Sequence, residues 1–151
     1  MQAQILAPAA VLVVWTILVM FWIIPSRFGA VAKMEDKSAL PRKIGVRGND
    51  LEGVIPDRAN WPAHNHTHLH EQPTLFYAVA LIHALMGPTA LDVTLAWAYV
   101  GLRIVHSLWQ ILVNTIVVRF ALFCASALVL LVLAVRAVLA TLLADPSALP
   151  A

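Results

Sequence analysis

One cysteine, Cys124, occurs in 151 residues. That scarcity excludes an internal disulfide framework and a cysteine-built zinc site. Charge is scarce too. Asp, Glu, Lys and Arg make up 12% of the chain, and the net charge is +2. An ordinary soluble domain is about 25% charged and about 45–50% apolar. Here 61% of residues are hydrophobic and the mean hydropathy is +0.82. A water-soluble globule and a disordered chain are both excluded on that balance. The sequence pI of about 9.0 does not point to nucleic acid, because the few cations form no duplex-sized footprint. The first four residues hold no Lys or Arg, and no small-residue cleavage site precedes the basic segment, so the opening apolar run does not read as a signal peptide. The length suits one domain, 1–151, read as an integral membrane unit.

What is abundant is long apolar runs. A helix rises about 1.5 Å per residue, so about 20 residues cross about 30 Å of hydrocarbon. Four such spans are expected: about 5–24, 72–91, 93–112 and 115–143. Pro25 and Ser26 are expected to end the first, Gly87-Pro88 to break the chain after the second, Asn114 and Thr115 to turn it after the third, and Asp145-Pro146 to stop the fourth. The expected fold is an all-α, up-down four-helix bundle, because the later connections are short.

Residues 26–60 differ. They carry Arg27, Lys33, Lys37, Arg42, Lys43, Arg47 and Arg58, most of the chain's cations, together with five acids. They read as a solvated, irregular loop. The positive-inside rule puts this loop in the cytoplasm and both termini outside.

Polar groups at membrane depth are costly and need a partner or a cavity. Arg103 lies near the middle of the third span, and His106, Gln110 and Asn114 follow on the same helical stripe. Glu71, where the second span begins, is the expected counter-charge of Arg103. Arg119 sits at similar depth on the fourth span. These groups converge on one site in the cytoplasmic half. Arg136, near the outer end of its helix, is expected to snorkel, and Asp92 and Asp145 read as bland boundary residues. The run His64-Asn65-His66-Thr67-His68-Leu69-His70-Glu71 contains His64/His68 and His66/His70 at metal-compatible spacing, but with no further ligand cluster it reads first as a polar helix start. His68 and Glu71 are i,i+3 neighbours. His83 lies about 9 Å deeper than His106 at 1.5 Å per residue, which disfavours a shared haem and makes His83 a hydrogen-bonded bundle histidine. Cys124 reads as an inert small hydrophobe. A proton-coupled transporter needs a carboxylate deep in a span, and both Glu71 and Asp92 sit at span edges.

Asn60 to Val138 resembles the MAPEG family (membrane-associated proteins in eicosanoid and glutathione metabolism), and is closest to its bacterial branch. The resemblance rests on Glu71-x-Pro73-x-Leu75-Phe76-Tyr77, on Leu95-Ala96-Trp97 followed by Arg103-x-x-His106-Ser107, and on Asn114 with Arg119. It implies a homotrimer in a bacterial inner membrane, with glutathione as co-substrate bound between subunits and a lipophilic electrophile reaching the site from the lipid. It also implies roles. Glu71 takes the glutathione ammonium or pairs with Arg103; Arg103, His106, Gln110, His68 and Asn114 line the glutathione site; Arg119 is catalytic, stabilising the thiolate. The chain departs from the family's Arg-x-x-Arg-Asn-x-x-Glu pattern, with His64, Thr67 and His68 in place of both arginines and the Asn. Gln110 stands where a tyrosine is frequent. A non-catalytic member of the same fold, binding lipid, metal or a protein partner through the His-rich segment, is the competing expectation.

Overall fold

A computed structural model describes residues 2–42 and 44–144. It contains four long helices, α1 (Gln2–Ala32), α2 (Asp57–Met86), α3 (Ala90–Leu112) and α4 (Ile116–Leu142), with a short 3-10 turn, Gly48–Leu51, in the first connection. No strand occurs among the described residues. Lys43 and the expected stop at Asp145-Pro146 lie outside them.

The later helix ends follow local chemistry. Gly87 closes α2 with φ 84, a left-handed geometry that a side chain disfavours. Thr89 caps α3: its hydroxyl accepts from the Asp92 amide, while the Asp92 carboxylate accepts from the Thr89 amide at 2.8 Å. Asn114, at φ 61, makes the sharp turn before α4. Helix α2 ends at Met86, so the last residues expected in the second span form the turn and the start of α3.

The first helix corrects the sequence reading. It continues through Pro25 and Ser26 to Ala32, and α2 begins at Asp57, so the irregular segment is shorter than 26–60. A proline removes one helical hydrogen bond and normally ends or kinks a helix. Here tertiary bonds hold the next turn in place: Ser26 Oγ donates to the Ala59 carbonyl at 3.0 Å, and Arg27 Nε donates to Asn60 Oδ1 at 3.1 Å.

Helix α1 packs along α2, and α3 along α4, with α2 and α3 also in contact. The buried seam of α1 is narrow. Ile5, Leu12 and Val19 recur every seven residues and are fully covered, while Val14, Leu18 and Phe21 are more than half exposed. The apolar exterior is continued on α4 by Leu128, Leu131 and Val138. In water such a surface would be an association hazard; against acyl chains it costs nothing. Of the four helices, α1 and α4 are each long and apolar enough to cross a membrane by length and composition. Helices α2 and α3 are more polar because they build the interior. The core of the bundle includes Leu69, Phe76, Tyr99, Val100 and Leu133, with Phe76 and Tyr99 stacked at 4.4 Å between ring centroids.

Candidate functional site

Arg103, His106 and Gln110 all face inward from α3 and are buried, as is Ser107 beside them. Arg103 has no exposed surface. Its Nη2 donates to the His68 carbonyl at 2.9 Å, while Nε and Nη1 have no partner. That carbonyl precedes Leu69, whose own carbonyl loses its helical donor because Pro73 carries no N–H. Arg103 thus reaches α2 at a turn already disturbed by proline.

The expected Arg103–Glu71 ion pair does not form. Glu71 points outward and accepts from His68 Nδ1 at 2.8 Å, with 58% of its side chain exposed. Helix geometry explains the difference: the i,i+3 neighbour on the same helix reaches Glu71 without desolvating it. A buried guanidinium with two unpartnered nitrogens has donors whose unpaired state costs free energy, and an anionic group is the chemistry that would match them.

His106 stands next to this guanidinium. It is 3% exposed, and its Nδ1 has no partner. The His68 ring lies edge-on to it, 6.4 Å away between centroids. Together with Arg119, Ile116, Phe120 and Phe123, these two histidines line a cavity of about 250 Å³. Arg119 is held by α4: its Nη1 donates to Asn114 Oδ1, and its Nε is buried without a partner. The cavity therefore joins a cationic corner to an aromatic, apolar wall.

The structure brings His68, His106 and Arg119 to one cavity, with Asn114 bonded to Arg119; Arg103, bonded to the His68 carbonyl and wholly buried, is not among its lining residues. Glu71 does not line the cavity and touches it only through its bond to His68. Gln110 takes a different place: its Oε1 accepts from Asn65 Nδ2 at 3.0 Å. Asn65 also accepts from the Ser107 hydroxyl, and Ser107 accepts from Trp15 Nε1 at 3.0 Å. This buried chain of hydrogen bonds ties α1, α2 and α3 together directly behind Arg103. The sequence reading missed Asn65. The signal lay in the 3–4 spacing of α2's covered face, which runs Pro62, Asn65, Leu69, Pro73, Phe76, Ala80, His83.

The remaining histidines are distributed. His64 donates to Glu52 at 3.0 Å, and His70 donates to the His66 carbonyl at 2.9 Å. Burial, with the neighbouring His70, holds His66 below the ordinary histidine range. Among the described residues no three His, Cys, Asp or Glu side chains gather as a metal site. At the opposite end of the bundle, His83 Nε2 donates to the Leu133 carbonyl at 3.0 Å. There Arg136 does not simply snorkel. It forms an ion pair with Asp92, which is 3% exposed and is a buried anchor rather than a boundary residue.

No curated protein and no solved structure shows a significant match to the chain. The sequence model of the MAPEG family, a membrane-associated family that includes glutathione transferases and peroxidases, matches residues 5–139. Nearly the whole chain is covered, from the first helix to the last, and the protein belongs to the MAPEG family.

Proposed function

We propose that the protein is a membrane glutathione transferase or peroxidase acting on lipophilic electrophiles. The observation that carries this reading is Arg103, wholly buried with Nε and Nη1 unpartnered. Glutathione offers two carboxylates, an ammonium and a thiol. A carboxylate would take the free donors of Arg103, with His106 Nδ1 beside them. Glu71, exposed beside His68, would take the ammonium. Arg119 faces the apolar wall of Phe120 and Phe123, where thiol and electrophile would meet. Its positive charge would favour the thiolate by lowering the thiol pKa. The thiol proton goes to water. The thiolate sulfur then bonds to the electrophilic carbon, and the leaving group departs with the bonding pair. With a hydroperoxide, the sulfur bonds to the terminal oxygen and the alkoxide takes a proton. A second glutathione then displaces water to give the disulfide.

A homotrimer is part of this reading. Pockets that enclose a small ligand measure about 300–1,000 Å³, and the 250 Å³ cavity falls below that range. A neighbouring copy would supply the missing wall. The cation-rich loop supports placing the site's mouth toward the cytoplasm of a bacterial inner membrane, with both termini outside.

The test uses the whole protein in lipid nanodiscs. Glutathione should raise its melting temperature, and a chloronitrobenzene electrophile should be conjugated. Arg119→Ala should lower kcat about 10²-fold, the scale of losing one donor to developing negative charge. The absence of both a thermal shift and conjugation with any of several electrophiles would falsify the reading. A shift without conjugation would instead favour the non-catalytic role.

A further inference from the structure

A larger cavity, about 470 Å³, opens where α1 ends and α2 begins, on a different part of the bundle from the Arg119 cavity. Its floor is apolar: Trp22 and Pro25 from α1, Ile111 and Leu112 from the end of α3. Its rim carries Lys33 and Arg58, and no acidic residue lines it. Neither cation forms an ion pair among the described residues. The Arg58 guanidinium rests 5.9 Å over the Trp61 ring, a contact that leaves its N–H groups available.

The arrangement is graded with depth. Trp22 lies ten residues before Ala32, the last residue of α1, about 15 Å at 1.5 Å per residue, and Lys33 follows in the turn just after it. Indoles favour the membrane–water boundary, and lysines favour the water just beyond it. One cavity thus presents an apolar surface beside an interface-favouring indole and two cations without an ion pair, an order that matches an acyl segment followed by a headgroup. A small free anion would use the cations and leave the floor wet. A phosphodiester that carries acyl chains uses both. Charge complementarity and this depth profile together select the occupant.

We propose that this cavity binds one anionic phospholipid, its phosphate against Lys33 and Arg58 and its upper acyl segment on the floor formed by Trp22, Pro25, Ile111 and Leu112. The bound lipid would bridge α1, α2 and α3 beside the Ser26–Ala59 and Arg27–Asn60 bonds. The proposal is independent of the glutathione reading, since it uses none of the same residues.

The test reconstitutes the full chain in nanodiscs of phosphatidylcholine, with and without phosphatidylglycerol. Retained lipid is counted by native mass spectrometry, and thermal unfolding is followed in parallel. Phosphatidylglycerol should be retained in preference to phosphatidylcholine by about tenfold or more, from two cations near the surface. Lys33→Gln with Arg58→Gln should abolish that preference and leave unfolding in pure phosphatidylcholine unchanged. Lys37→Gln with Arg42→Gln removes the same charge from the neighbouring loop and should preserve the preference. Equal loss in both double variants would overturn the site in favour of diffuse surface attraction. Displacement of phosphatidylglycerol by inorganic phosphate would overturn the lipid assignment and make the cavity a free-anion site.

Discussion

Arg103 is the residue whose environment is least balanced. A buried charge is tolerated when its donors are matched, and here a single carbonyl answers one of its nitrogens. Replacing such a charge by an apolar side chain of similar length is often neutral or stabilising. Arg103→Met should therefore leave the apo protein unchanged or more stable by about 1–3 kcal/mol, while the thermal shift with glutathione disappears. A structural role alone predicts the reverse, a loss of apo stability with the shift retained. Both quantities come from melting curves in the same nanodiscs. His66 carries a second prediction at this scale. Its pKa is lowered by burial and by His70. A lowered base binds fewer protons in the folded state, so the stability it contributes is present above its unfolded value near 6.5 and is lost as pH falls through it. The difference between wild type and His66→Asn therefore carries the test. The substituted protein should lose less melting temperature between neutral and mildly acid pH. The polar stripe on α3 was legible at this scale because a charge in an apolar run stands out. Asn65 was not, because an amide amid histidines looks like one more polar surface residue. Only the spacing of the covered face reveals it. The partner of Glu71 was misread because opposite charge was weighed above the i,i+3 histidine on its own helix, which reaches it first.

Helices were readable to the extent that their ends are written in local chemistry. Gly87, and Asn114 with Thr115, each mark a boundary by conformational preference, and each boundary falls there; the Thr89–Asp92 cap was not read from the sequence, where Asp92 stood as a bland boundary residue. Pro25 failed as a marker, because the bonds from Ser26 and Arg27 to α2 are tertiary and no local pattern announces them. The Asp92–Arg136 pair is also tertiary. It joins the start of α3 to α4 across 44 residues of sequence, and Arg136 Nη2 also donates to Thr89 at 3.0 Å. Removing Arg136 would leave the Asp92 carboxylate buried with its capping bonds and the His83 ring 3.9 Å away. Breaking a buried pair from one side costs about 3–5 kcal/mol, and the partial exposure of Arg136 reduces that to about 2–4 kcal/mol. Thr89→Ala removes a cap and should cost about 1 kcal/mol. Unfolding of the micelle-bound protein in increasing denaturing detergent should rank Arg136→Leu well below Thr89→Ala in stability. An equal or inverted ranking would mean that the ion pair is ornamental and that α3 is held by its cap alone.

The whole molecule is organised around an inverted polarity, and that is what makes its orientation testable. The apolar exterior of α1 and α4 needs lipid, while the interior of α2 and α3 holds the arginine, the histidines and the amide chain. Cations are almost absent from the connection between α2 and α3 and dense in the connection between α1 and α2. Translocating that dense segment against the membrane potential is unfavourable, so it should stay in the cytoplasm. The chain's single cysteine, Cys124, lies within α4 and is half-buried, so Cys124→Ser provides a background on which new thiols can be placed. Ser38→Cys puts a thiol in the cation-rich connection, and Gln4→Cys puts one near the start of α1, at the opposite end of that helix. In intact bacterial cells a membrane-impermeant maleimide should label position 4 and spare position 38. After permeabilisation it should label both. Labelling of position 38 in intact cells would invert the orientation. It would also turn the mouth of the Arg103–Arg119 site away from the compartment where reduced thiols are abundant, so the same experiment bears on the chemistry as well as on the topology. A thiol-transfer enzyme facing an oxidising compartment would have no supply of its nucleophile.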